Sequence, residues 1–331
     1  MRTLTVLCGS GLCNRLQVLV SGIAIAEATG RRFRMLWPKT APCPATFQEL
    51  FTNDFLVEDS DSFTFSGVAS VREYRTVMQV ESLDLLAEQE DDLYVTAPRW
   101  LLQPVLWVSH RAAYARALEI LGELKPVASI QHEIDEFRRT LFRTRMIGVH
   151  LRRGDFHFYA PESSNNTQNA MIEVDRLLNM HPESGIFLCT DDGDAFANGK
   201  KSTRYEGVRE KFRRRYGDRV VWTSPRRDET GFVRNAKWAL VDLWLLRATD
   251  SFVGTPLSSF SEVAHVGRDV EVVLVDGTKV SWRAIEFLMR VTGLYWVLRW
   301  YGRRRFGYDM RFSRLLAATM RGIVSVWGRL G

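Results

Sequence analysis

Two arginines close the segment "MIGVHLRRGDF" (146–156), and their type and position point to chemistry. An apolar run from Met146 to Val149 leads into His150, and Arg152, Arg153 and Asp155 follow directly. Guanidinium is the side chain suited to bidentate contact with phosphate oxygens. Two of them where a buried strand ends imply an anion at that end. Structural ion pairs, with Asp155 among the partners, are the alternative. A second stretch, "SFVGTPLSSFSEVA" (251–264), ends an apolar strand at Gly254 and feeds a small-residue loop into a helix at Ser258–Phe260. Free N–H groups at a helix start bind phosphate, and Ser258 and Ser259 add hydroxyl donors. Serine is also an ordinary helix N-cap. Taken together, the arginines and this loop point to a diphosphate.

Acidic residues extend the candidate set. "GIFLCTDD" ends on Asp191 and Asp192, and Asp192 and Asp194 have D-x-D spacing. A metal pair is one reading; a strand-end turn that touches substrate is preferred, since Asp and Gly form turns. Asp242 interrupts the apolar helix "WALVDLWLLRA", where a carboxylate is costly unless it meets donors. The two-donor edge of guanine would match it. On the residues alone, a surface pair with Lys237 or Arg247 is the simpler reading.

The elements that must position these residues alternate. Thr3–Cys8 reads as a strand, "GSGLCNR" (9–15) as a loop, Leu16–Thr29 as a buried helix stopped by Gly30, and "RFRMLWP" (32–38) as a strand. "FQELF" (47–51) reads as a short helix, "DDLYVTA" (91–97) as a strand, and residues 111–124 and 126–142 as helices. A second series starts at Met146: strand, helix near 170–179, strand "GIFLCT", helix "YEGVREKFRRRYG", strand "RVVWT", the Asp242 helix, strand "SFVG", the Ser258 helix and a last strand "VEVVLVDG". Such alternation predicts α/β architecture with parallel sheets, whose ligands bind at the carboxyl ends of strands. A chain of 331 residues fits two such domains, expected at 1–140 and 141–280.

Residues 281–331 differ from the rest. They hold ten arginines against Glu286 and Asp309, a formal +8, so residues 1–280 sit at −2 within a total of +6. With Trp282, Trp296, Trp300 and Trp327 the segment reads as a basic amphipathic helical tail suited to a membrane interface; a helix packed across the body is the alternative. The slightly acidic body argues against nucleic acid as a partner. No uncharged run reaches the length of a membrane span, and no cleaved signal is expected from the apolar stretch after Asn14 and Arg15. Four cysteines without CxxC spacing, and histidines that do not cluster, predict free thiols in a reducing compartment and no metal site.

Three stretches resemble the inverting fucosyltransferase superfamily: "GLCNRLQVLVSGIAIAEATGRRFRMLWP", "GVHLRRGDF", and "TDD" followed by "DLWLLRATDSFVGTPLSSFSEVA", in that order. The likeness covers residues 4–37 and 147–265. It includes bacterial enzymes that fucosylate chitin-derived oligosaccharides and the α1,6- and protein O-fucosyltransferases. The resemblance implies a GT-B fold, two Rossmann-like domains facing a cleft. The first would serve the acceptor, and GDP-fucose would lie on the second without a metal or other cofactor. It implies that Arg152 contacts the diphosphate and is needed for catalysis, with Arg153 beside it and His150 and Asp155 orienting the motif. Asp242 would read guanine, Ser258, Ser259 and Phe260 would hold phosphates, Asp191 and Asp192 would touch the donor, and Asn14 with Arg15 would reach across the cleft. The acceptor would be a glycan, with lipid-linked ones suiting a cytoplasmic protein at the inner membrane face. Cys13 replaces a usual glycine, and "RRGD" stands for the more familiar "RRTD". A catalytically inactive nucleotide-sugar or glycan binder of the same fold is the alternative. The general base is not identified; Asp155, His157 and Glu162 are candidates.

Overall fold

The structure is a computed structural model, and it describes residues 2–59, 72–73, 84–102, 109–153, 166–191, 207–223, 236–256, 258–275 and 279–280. Asp155, His157, Glu162, Asp192, Asp194 and the basic tail lie outside the described residues.

Residues 3–96 build a first sheet. β1 (Thr3–Leu7) lies at its centre, flanked by β2 (Arg32–Trp37) and β5 (Asp92–Thr96), with β3 (Val57–Asp59) and β4 (Arg72–Glu73) at the edges. The order is β3-β2-β1-β5-β4 and every pairing is parallel. A parallel sheet must bury both faces, and the long helix α1 (Leu12–Thr29) covers one of them. Nearly all of α1 from Leu12 to Ala26 is buried, as expected of a helix apolar on all sides. Gly30 ends it in the left-handed conformation (φ 62°), which glycine adopts without steric cost. The helix starts four residues before the Leu16 expected from sequence; Leu12, Cys13, Asn14 and Arg15 form its first turn rather than a loop.

"FQELF" is likewise not a helix but a single turn. Thr46 and Glu49 close it reciprocally: Thr46 N–H donates to Glu49 Oε2 (2.7 Å) and Glu49 N–H to Thr46 Oγ1 (3.1 Å). Phe51 then bridges to Pro126, which therefore precedes its helix instead of starting it. Helices α2 (His110–Glu123) and α3 (Ala128–Leu141) lead to the second sheet.

That sheet is built from β6 (Met146–Leu151), β7 (Gly185–Thr190), β8 (Val220–Val221), β9 (Ser251–Gly254), β10 (Glu271–Leu274) and β11 (Lys279–Val280). Its order is β11-β10-β9-β6-β7-β8. All pairs are parallel except β10–β11, so the last expected strand is followed by one short antiparallel edge strand. The connecting helices are α4 (Thr167–Met180), α5 (Val208–Tyr216), α6 (Ala236–Arg247) and α7 (Ser259–His265). Strand order reverses at β6, which pairs with β7 on one side and β9 on the other. Open α/β sheets bind ligands in the crevice at such a reversal, beyond the carboxyl ends of the strands. The residues that follow β6 are Arg152 and Arg153.

The two halves share one apolar cluster. Phe51 of the first half meets Trp244 of α6 with ring centroids 5.8 Å apart, and Phe137 of α3 packs edge-on against Phe187 of β7.

Candidate active site

Three strand ends meet at the crevice of the second sheet. Arg152 directly follows β6, Asp191 directly follows β7 and Thr255 directly follows β9. Asp191 joins the first two: one carboxylate oxygen accepts from Arg152 Nη1, and the other accepts from the Arg153 backbone N–H at 2.5 Å. Thr255 joins the third. Its Oγ1 accepts from the Arg152 backbone N–H (3.0 Å) and donates to the His150 carbonyl (2.9 Å). Ser261 of α7 completes the lattice: its Oγ accepts from the Thr255 N–H (3.0 Å) and shares a 2.7 Å hydrogen bond with His150 Nδ1. The His150 ring also stacks on Phe260, 4.8 Å between centroids. The Arg152–Arg153 backbone is thus held from two sides, by Thr255 and by Asp191, and His150 is tied into the same lattice.

The structure separates the two arginines. Arg152 keeps 38% of its side chain exposed, whereas Arg153 is buried and its guanidinium donates to Thr167 Oγ1 at the start of α4. Successive side chains of an extended chain point to opposite sides, so one of an adjacent pair faces the crevice and the other packs. Of the two, Arg152 is the guanidinium left partly exposed at the strand ends. Arg15 is also given a different task. It is fully buried, with Nε on Ser10 O (2.6 Å), Nη1 on Pro38 O (2.7 Å) and Nη2 on Thr40 Oγ1 (2.7 Å), and it lies 5.0 Å over the Trp37 ring. It clamps the loop after β1 to the loop after β2 rather than reaching for a donor.

Asp242 is buried in α6. Its Oδ1 accepts from Thr223 Oγ1 (2.6 Å) and its Oδ2 from the Cys189 thiol (3.6 Å). The expected pair with Arg247 is not made, because that guanidinium turns to the carbonyls of Val263 and Val266. Asn14 lies half-buried in the first turn of α1. Ser258 takes the N-cap position of α7, but its side chain makes no capping hydrogen bond. Ser259 and Phe260 are half-buried beside it.

Two residues near this region escaped the sequence reading. Arg209, in the first turn of α5, donates to the carbonyl of Thr190, directly before Asp191. Within the basic run 209–215 nothing marks it out from its solvated neighbours. Glu262 of α7 accepts from Gln17 Nε2 (3.0 Å) and Trp100 Nε1 (2.9 Å), both on the first half. Burial pushes its carboxyl above the usual range, against the pull of Arg99 and these two bonds. All four cysteines are free and buried, and burial raises the Cys8 thiol to about 11. Among the described residues no three His, Cys, Asp or Glu side chains are grouped to hold a metal ion.

No family model matches the sequence, and no curated protein matches it. Solved structures do. The chain is similar to the α1,6-fucosyltransferase NodZ soaked with GDP-fucose: 18% identity, TM-score 0.56, covering 83% of this chain and 95% of that one. It is similar to the fucosyltransferase NodZ from Bradyrhizobium: 17% identity, TM-score 0.58, with 85% and 99% covered. A variant of Arabidopsis thaliana FUT1 in complex with GDP matches at 16% identity and TM-score 0.54, over 82% of this chain and 70% of that one. The fold is the GT-B fold of these fucosyltransferases. The resemblance read from the motifs implied that architecture. The crevice at Arg152 is the strand-order reversal of the second sheet of this GT-B fold.

Proposed function

We propose that the protein is a glycosyltransferase that moves L-fucose from GDP-fucose to a hydroxyl of a glycan, with inversion and without a metal ion. The observation that carries this reading is Arg152. Its guanidinium is partly open at the crevice of a fucosyltransferase fold, and its backbone is held there by Thr255 and Asp191's bond to the next residue. When the bond between the sugar and the diphosphate breaks, negative charge grows on the leaving phosphate. A fixed guanidinium stabilises that charge without reorganisation, and loss of one such group typically costs about 10²–10³ in rate. In this reading residues 141–280 hold the donor and residues 1–140 face the acceptor. The hydroxyls of Ser258 and Ser259 contact phosphate, Asn14 approaches the donor from α1, and Asp242 reads the guanine edge. Acceptors carried on lipid at the cytoplasmic membrane face fit the basic tail. No helix among the described residues is long and apolar enough to cross a membrane.

The test is full-length protein with GDP-fucose and a panel of glycan acceptors, with and without EDTA. Product mass gained by one deoxyhexose, with GDP release that depends on acceptor and survives EDTA, is the expected result. GDP binding without acceptor-dependent release would identify a binding protein of the same fold. Transfer that vanishes with EDTA and returns with manganese would move the diphosphate site to Asp192 and Asp194.

A further inference from the structure

The contact between the halves is mostly apolar, and one carboxyl group in it is used by nothing described above. Glu262 receives one hydrogen bond from Gln17 on α1 and one from Trp100, just beyond β5. Both donors lie beside the carboxyl ends of the first sheet's strands, since α1 starts where β1 ends. On its own side, Glu262 shares the short helix α7 with Phe260 and Ser261. Ser261 is the hydroxyl that joins His150 and Thr255, and Thr255 holds the Arg152 backbone. One side chain therefore connects the first half to the lattice that places Arg152.

Both donors to Glu262 are neutral, so the contact works through hydrogen-bond geometry. Gln17 is fully buried, and its Oε1 has no hydrogen-bond partner. A buried acceptor left unsatisfied is unfavourable. Turning the Gln17 amide over would bring Oε1 against Glu262 Oε2, where it accepts a carboxyl proton, while Trp100 still donates to Oε1 of Glu262. The link to Gln17 can thus be kept with a neutral group at position 262, in keeping with a carboxyl whose ionisation burial opposes.

We propose that Glu262 is a positioning residue for the transfer. It pins α7 to α1 and Trp100, and so fixes where Arg152 stands relative to the first half. This inference rests on the proposed sugar transfer, but the pin itself has a readout that does not need activity. The experiment uses the full-length protein, Glu262→Ala and Glu262→Gln. It measures amide hydrogen exchange over residues 12–20 and 259–266, GDP affinity by calorimetry, and kcat and KM with GDP-fucose. Misplacement by about an ångström typically costs on the order of 100-fold in rate. Glu262→Ala is accordingly expected to speed exchange in both segments and lower kcat by about 10- to 100-fold, with GDP affinity within about threefold of the original. Glu262→Gln is expected to restore exchange and kcat, because its amide donates to Gln17 Oε1 and its oxygen accepts from Trp100. Unchanged exchange or unchanged kcat in Glu262→Ala overturns the proposal, and so does a Glu262→Gln protein as slow as Glu262→Ala. If Glu262→Ala does not fold, Trp100→Phe takes its place: it keeps a ring against Tyr114 and removes one of the two bonds. Wild-type kcat and exchange in that variant overturn the pin. An unmodified protein that neither binds GDP nor transfers from it would refute the proposed function instead, while the exchange comparison still decides the pin.

Discussion

Asp191 holds Arg152 through a direct carboxylate–guanidinium contact across the ends of two neighbouring strands. The partner is fixed by a second bond to the Arg153 N–H, so the guanidinium is oriented by backbone geometry rather than left to sample rotamers. In the proposed transfer, an incoming diphosphate would meet a cation that is already oriented. Arg152→Ala should lower transfer by about 10²–10³. The fold should hardly notice: a partly exposed ion pair contributes roughly 0–1 kcal/mol once solvent screening is counted. Turnover near the original level in a protein with an unchanged melting temperature would remove Arg152 from the mechanism.

Asp242 makes the opposite case, a carboxylate deep in the fold with its bonds used internally. Asp242→Ala leaves the Thr223 hydroxyl and the Cys189 thiol without their buried acceptor. Unpaired buried donors typically cost about 1–3 kcal/mol each in the worst case, so the variant should unfold at lower denaturant concentration. The same protein tests the guanine proposal. GDP affinity should fall more than UDP affinity if the carboxylate also reads the base, whereas an equal loss for both nucleotides would leave Asp242 a structural residue.

His265, at the end of α7, should make stability depend on pH. Burial, and the nearby Arg247 and Arg268, pull its imidazole down to about 4 from an ordinary 6.5. The unfolded chain therefore takes up a proton on this ring between pH 6.5 and 4 that the folded chain does not. Its contribution is fully present above pH 6.5 and is lost as pH falls toward 4, to the extent of about 2–3 kcal/mol. Glu262 acts in the other direction. Its folded carboxyl is raised, so its contribution is present below the ordinary carboxylate range and declines as pH rises through the raised value. The clean measurement is a difference: His265→Phe keeps a ring beside Phe252 and should flatten the loss of stability between pH 6.5 and 4. An identical pH profile in that variant would rule out His265 as the cause.

How far the sequence could be read follows from what each signal depends on. Strands β6, β7 and β9 were legible because a strand buried on both faces is a nearly continuous apolar run, and their alternation with helices along the chain pointed to parallel pairing. The start of α1 was not, because "GSGLCNR" has loop composition and Arg15 looks like a solvated break; its burial depends on the carbonyls of Ser10 and Pro38, which only the folded loops bring to it. Arg152 was singled out by type and position. That Arg153 turns away follows from strand alternation, but its partner Thr167 lies 14 residues further along the chain and leaves no local trace. Asp242 announced itself as an acid in an apolar helix, yet its donors Thr223 and Cys189 come from the end of β8 and from β7, which helix spacing cannot show, and Arg247 turns to the carbonyls of Val263 and Val266 instead. Glu262 was invisible for the same reason: in "SSFSEVAH" it looks like a solvent-facing acid in the first turn of a helix, and only the approach of α1 and Trp100 gives it a role.

The basic tail carries the last prediction. Deleting residues 285–331 should release the protein from anionic liposomes and leave GDP binding in place. The argument is a charge split: residues 281–331 hold +8 and four tryptophans, while residues 1–280 are at −2. Each arginine near an anionic surface contributes about 1 kcal/mol, a term that salt screens. Tryptophans entering the headgroup region add an apolar term that salt does not screen. Liposome binding by the full chain should therefore weaken at high salt without vanishing, and it should need anionic lipid. A tail packed across the two halves makes the contrary prediction, because its removal would uncover apolar surface and the truncated protein would aggregate or lose GDP. A soluble truncation that binds GDP, from a parent that ignores anionic liposomes, would exclude both the membrane role and the packed one.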